Sequence, residues 1–212
     1  MSNRKLIEIL EEKTRISKKY IKLDYYKLLD PFNEVTIENN ILDGITPFDE
    51  CYVIQILMKI KPITFDKLKK LNEILNGTCR WRKLFVGNLL ENHKIEEIFS
   101  SEEDIITYLR NKELSEQVTY EILKLVQSGK LYQEQTEYLE KVDWYKYKSI
   151  LKEHNVDDWI IYMLENIGNV LQKNQQYNYL EYALILVWYK LYHKREFEQA
   201  LNEIRGVNDE GK

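Results

Sequence analysis

Apolar residues recur at helical spacing along almost the whole chain, and that pattern restricts the fold more than any other feature. Leu6, Ile9 and Leu10 begin one amphipathic stretch, and Val53, Ile56, Leu57 and Ile60 form a second that Pro62 stops. Thr64 is placed to cap a third, with Leu68, Leu71 and Leu75 on its inner stripe and Gly77 just past its end. Trp81, Leu84, Phe85 and Leu89 make a fourth. Ser100 and Glu103 read as a capping box ahead of Ile105, Ile106 and Leu109. Ser115 opens a helix carrying Val118, Ile122, Leu125 and Val126, which Gly129 closes. Asp157 or Asp158 starts the stretch from Trp159 to Leu171. The last long helix is predicted from about Asn178 to His193, with Leu180, Ala183, Leu184, Val187, Trp188 and Leu191 inward. Only Val35 to Leu42 alternates enough to suggest a short strand or extended arm.

The expected fold class is therefore all-α: a single multi-helix domain at 45–205, behind a looser N-terminal helix and arm at 1–44, with a polar tail at 206–212. Seven Gly and three Pro in 212 residues argue against a loop-rich, all-β or Gly-loop nucleotide-binding protein. The longest apolar run, Ala183 to Tyr189, is far short of the roughly 20 residues that span a bilayer. Two cysteines, Cys51 and Cys79, build no disulfide framework, and no signal-like stretch opens the chain, so a cytoplasmic protein with reduced thiols is expected.

The formal charge of −4 excludes a generally basic nucleic-acid coat. Only residues 51–100 hold more basic than acidic side chains. There Lys59, Lys61, Lys67, Lys69, Lys70, Arg80, Arg82 and Lys83 flank two helices and their turn. Two readings stand: a solvated helix face, or a patch meeting phosphate. Catalytic motifs are scarce. His93, His154 and His193 lack metal-ligand spacing, and no Walker loop, dinucleotide fingerprint or Gly-x-Ser-x-Gly turn is present. Asp157-Asp158 and Glu102-Glu103 precede apolar periodic stretches and read as helix starts. No metal or cofactor is expected. Trp81, Trp159 and Trp188 read as core residues, and the tyrosines from Tyr132 to Tyr147 as amphipathic packing material.

The run Lys61-Pro62-Ile63-Thr64-Phe65-Asp66-Lys67-Leu68, followed by Asn76-Gly77-Thr78-Cys79-Arg80-Trp81, resembles the fingers region of C-family replicative DNA polymerases, the PolC-type alpha chain of DNA polymerase III. The family pattern is Lys-Pro-x-Thr-Phe-x-x-Leu and then a His-Gly-Thr-x-x-Trp turn. The resemblance continues through residues 103–109, 120–130 and 156–161, and covers 44 to about 205. It departs where the family reads Phe-Pro-Lys-Ala-His and then Ala-Ala-x-Tyr. Here residues 171–175 are Leu-Gln-Lys-Asn-Gln, followed by Gln176, Tyr177, Asn178 and Tyr179. Lys173 and Tyr179 match, Gln175 replaces the histidine, and bulky polar residues replace the alanines. Neutral Gln cannot supply the proton a histidine can.

The resemblance implies a palm-less, non-catalytic relative, because the family's metal-binding aspartates belong to the palm and two-metal phosphoryl transfer requires them. The implied partners are primer–template or duplex DNA, or a replicative polymerase or other replisome protein, met as accessory factor or decoy. A mobile-element setting suits such a chain. The residues expected to meet nucleic-acid or nucleotide phosphate are Lys61, Lys67, Lys69, Lys70, Gly77, Thr78, Arg80, Arg82, Lys83 and Lys173. A helical protein-interaction module that no longer binds nucleic acid is the alternative, suited by the negative charge and many tyrosines. An enzyme in its own right, such as a nucleotide-processing one, is the third reading.

Overall fold

A computed structural model of the chain describes residues 2–61, 63–75, 90–129, 131, 143–171 and 178–209. Among them there are helices and turns and no strand, as the periodicity predicts. The helices are α1 (Asn3–Thr14), α2 (Tyr25–Glu34), α3 (Cys51–Lys59), α4 (Phe65–Leu75), α5 (Glu102–Asn111), α6 (Glu116–Gln127), α7 (Trp144–Glu153), α8 (Asp158–Leu171), α9 (Asn178–Tyr192) and α10 (Lys194–Asp209). A short helical piece, Leu90–Asn92, and single 3₁₀ turns at Lys18–Tyr20 and Ile95–Glu97 complete them. The contacts divide the chain into two compact units: Met1–Lys69 with Gln176–Lys212, and Lys70–Gln175. The division falls inside α4, not near residue 45.

In the first unit α1 packs on α9 and α10, α9 packs on α10 and α2, and α2 packs on α3. Residues 1–44, expected as a looser arm, pack into the core of this unit. Leu6, Ile7, Leu10, Leu28 and Phe32 are all buried, and Phe32 meets Phe48 edge-on at 5.1 Å. Residues 35–42 are irregular, with a bend at 37–38 and a turn beginning at 41, and form no strand. Two asparagines clasp peptide groups that no helix satisfies. Asn3 Nδ2 donates to Thr46 O (2.5 Å) while Asn3 Oδ1 accepts from Thr46 N (3.2 Å). Asn33 does the same for Ile63, with its Nδ2 at 3.2 Å from the carbonyl and its Oδ1 at 2.7 Å from the amide. The buried Tyr189 hydroxyl donates to Ile16 O at 2.5 Å.

The second unit is contiguous. Here α8 packs on α6, α5 on α6 and α7 on α8. The tryptophan at its centre is Trp144, fully buried, its Nε1 donating to Glu165 Oε1 at 2.8 Å. Trp159 and Trp188, expected in the core, are only half-buried, and Trp81 lies outside the described residues. Ser115 caps α6 by accepting from Val118 N, and Gly129 follows the helix at φ +65°, both as the spacing predicts. The box before α5 is shifted by one residue: Ser101 accepts from Asp104 N, and the Asp104 carboxylate answers the Ser101 and Ser100 amides.

Candidate functional site

Four of the ten residues expected to meet phosphate lie among the described ones. Thr64 caps α4, accepting from Lys67 N at 3.3 Å, so this stretch is positioned as the sequence suggests. In the first unit, however, two of its lysines turn back onto the chain. Lys61 Nζ donates to Val35 O (3.3 Å), the residue capping the C-terminus of α2, and Lys67 Nζ donates to Ile60 O (3.1 Å), which caps α3. Helix C-termini carry unsatisfied carbonyls and partial negative charge, and an ammonium there relieves both. Lys69 is exposed and has no ion pair among the described residues.

Lys70 belongs to the second unit. Its Nζ donates to Glu96 O at 3.1 Å and pairs with Asp104 at 3.5 Å. It lies on the edge of a groove of about 540 Å³ whose walls include Phe99, Tyr108 and Trp159 and the carboxylates of Glu96, Glu97, Glu103, Asp104 and Asp157. Lys112 is the other cation there, its Nζ on Asn155 O at 2.6 Å and 5.7 Å from the Tyr108 ring. Burial, and then the charge of Asp157, push the Tyr108 phenol up. His93 stacks on Trp159 at 3.7 Å. With five carboxylates against two ammonium groups, this surface repels phosphate, so Lys70 stands in a setting unlike the one its sequence neighbours suggest. The acids are scattered from residue 96 to 157, so no local motif announces the groove.

Gly77, Thr78, Arg80, Arg82, Lys83 and Lys173 lie outside the described residues, as do Gln175, Tyr177 and Cys79. Cys51 is exposed. Asp158 pairs with Lys152 at 3.2 Å, while the Asp157 carbonyl accepts from Ile160 N and Ile161 N in the first turn of α8, the helix-start role expected of this pair. Among the described residues no group of three or more His, Cys, Asp or Glu is arranged to hold a metal ion, and no helix is long and apolar enough to cross a membrane.

Comparison with known proteins adds a relationship to this geometry. No family model matches the chain. It is similar to the PolC-type DNA polymerase III of Caldanaerobacter subterraneus subsp. tengcongensis, 26% identical over 211 residues that cover 94% of this chain and 14% of that protein. The PolC-type polymerase of Ureaplasma parvum is 22% identical over 220 residues, covering 97% of this chain and 14% of the relative. That of Bacillus subtilis is 25% identical over 166 residues, covering 76% and 11%. The chain thus spans about a seventh or less of the length of these relatives.

Proposed function

We propose that this chain, which is related to a segment of PolC-type DNA polymerase III, is a non-catalytic binding protein of DNA replication that meets DNA or a replisome component as accessory factor or decoy. The observation that carries the reading is the extent of the similarity: it runs through 94% of the chain and so through both compact units. The departures at Gln175 and Gln176, where the fingers of the family carry a histidine and an alanine, argue against handling a nucleotide. Fluorescence anisotropy of a labelled primer–template duplex, at low and then physiological salt, tests the DNA arm, and primer extension by a PolC-type polymerase with the protein added tests the other. Binding that weakens with salt is expected if DNA is the partner. A flat titration together with unchanged primer extension would sink the proposal.

A second reading, a protein-interaction module without nucleic-acid binding, is favoured by one observation: Lys61, Lys67 and Lys70 each already donate to the chain's own carbonyls. The exposed Lys69 separates the two. If DNA binds through this block, Lys69→Glu reduces the salt slope by about 1 and weakens binding uniformly across sequences. If a protein is the partner, Lys69→Glu leaves the anisotropy unchanged.

A further inference from the structure

Residues 1–50 as a whole hold more acids than bases, yet the stretch from Arg15 to Lys27 carries five bases, three tyrosines and a single acid, Asp24. Arg15 follows α1 at φ +57°, and the 3₁₀ turn at Lys18–Tyr20 leads through an extended link into α2. The start of this connection is held in place. The Tyr189 hydroxyl donates to Ile16 O, and the Glu11 carboxylate accepts from the Ser17 hydroxyl and the Lys18 amide. Lys18 Nζ lies 4.8 Å from the Tyr182 ring centroid. All of these residues belong to the first unit. What the held chain presents to solvent is lysine and tyrosine. Lys19, Lys22 and Lys27 are exposed, as are Tyr20 (73%), Tyr25 (45%) and Tyr26 (89%).

The sign of the charge holds when the flanks are counted. From Glu11 to Asp30 there are six bases against four acids, and α4 adds one of each beside Phe65, Asp66 and Lys69. Tyr25 is steadied against Phe65, their ring centroids 4.7 Å apart, while its neighbour Tyr26 stands almost wholly in water. Lys19 Nζ lies 4.9 Å from the Tyr20 centroid, which puts a cation beside an exposed ring. Tyr20 and Tyr26 are six residues apart, so at most about 22 Å separates them, a span that a short strand of nucleotides covers. Aromatic rings alternating with cations are what an unpaired strand needs, since each base offers a face to stack and each phosphate a charge to meet. A duplex keeps its base faces inside its own stack and gives the tyrosines nothing comparable.

We infer that the face from Arg15 to Lys27 binds single-stranded DNA, with bases stacked on Tyr20 and Tyr26 and phosphates on Lys19, Lys22 and Lys27. This rests on the DNA arm of the proposed function and gives it a site and a form of DNA. The probe is a labelled oligo(dT) strand of about 15 nucleotides, followed by anisotropy beside its duplex with oligo(dA). The strand is expected to bind about tenfold tighter than the duplex. Tyr20→Ser and Tyr26→Ser are each expected to weaken it about five- to tenfold, and Tyr26→Trp to hold or tighten it. Lys22→Gln should reduce the salt slope by about 0.7. These side chains are exposed, so unchanged thermal unfolding of each variant confirms that the fold is intact. The control is Tyr120 of the second unit, also exposed and with Lys124 Nζ 4.6 Å from its ring: Tyr120→Ser should leave binding unchanged. An oligo(dT) strand that does not bind, binding indifferent to both Tyr20→Ser and Tyr26→Ser, or an equal loss from Tyr120→Ser overturns the inference. Duplex binding or altered primer extension alongside any of those results would leave the proposed function standing without this site.

Discussion

Gly168 sits inside α8, where a glycine ordinarily costs stability relative to alanine. Here a Cβ would collide with the Val126 carbonyl oxygen and come within 2.8 Å of Gly129 Cα, both backbone atoms at the end of α6. Gly168→Ala is therefore expected to destabilise by about 1–3 kcal/mol, the usual cost of forcing bulk into a packed site. Gly206 in α10 has nothing within 4 Å of its Cβ position, so Gly206→Ala is expected to stabilise by about 0.5–1 kcal/mol. Urea titrations of the two variants check whether the signs are opposite. Glu11 gives a pH-dependent case. Burial raises its pKa, but the Lys18 amide (2.7 Å), the Ser17 hydroxyl (2.8 Å) and the charges of Lys18 and Lys19 outweigh that and hold it below the ordinary value. A depressed carboxylate stabilises the fold fully above the unfolded-state pKa of about 4.3, and that stability is lost as pH falls through the lowered folded value. Glu11→Gln is expected to cost about 1 kcal/mol at pH 7 and progressively less below pH 4, read by denaturation at both pH values.

At the scale of elements, caps separate what pattern reveals from what geometry decides. Ser100 and Ser101 both precede acids at the right spacing, and a sequence offers no ground for choosing the register. In the structure Asp104 takes the second role of the box, accepting from Ser100 N at 2.7 Å and Ser101 N at 3.3 Å, while the Ser100 hydroxyl donates to Glu73 at 2.6 Å. Asp104→Ala is expected to cost about 1–2 kcal/mol in thermal unfolding, and the exposed Glu103→Ala to stay within about 0.5 kcal/mol. The same limit leaves α2, α7 and α10 outside the helices that spacing alone singles out. The stripe of α10, Phe197, Ala200, Leu201 and Ile204, is regular, but charged residues dilute it until its partner helices are known. In α9 the single inward stripe expected from spacing gives way to burial nearly all round, with Ile185, Leu186 and Tyr189 covered as well. Periodicity identifies a helix with one wet face; a helix wrapped by α1, α2 and α10 has little wet face to show. The candidate sites were legible only in part. The run of lysines is plain in the sequence, whereas their donation to Val35 O, Ile60 O and Glu96 O depends on where the chain turns, 26 residues away for Lys61 and Lys70 and seven for Lys67.

At the scale of the molecule, one unit is a continuous segment and the other is closed from the two ends of the described chain, α1 meeting α9 and α10. Closing so long a loop costs entropy before any contact rewards it, so the first unit depends on what α1 buries. Leu6, Ile7 and Leu10 are each fully covered, and at about 1.5–3 kcal/mol per large apolar side chain they contribute an amount comparable with the whole stability of a domain. Tyr189 loses its partner at Ile16 O at the same time. Deletion of residues 2–17 is therefore expected to abolish slow hydrogen exchange at the amides of α9 and α10. A synthetic peptide of residues 2–17, added in trans, should restore protection in proportion to its concentration, because it binds the folded form alone. Protection that persists in the truncated chain without peptide would show that α9 and α10 hold each other without the N-terminal helix, and that the buried face of α1 is dispensable.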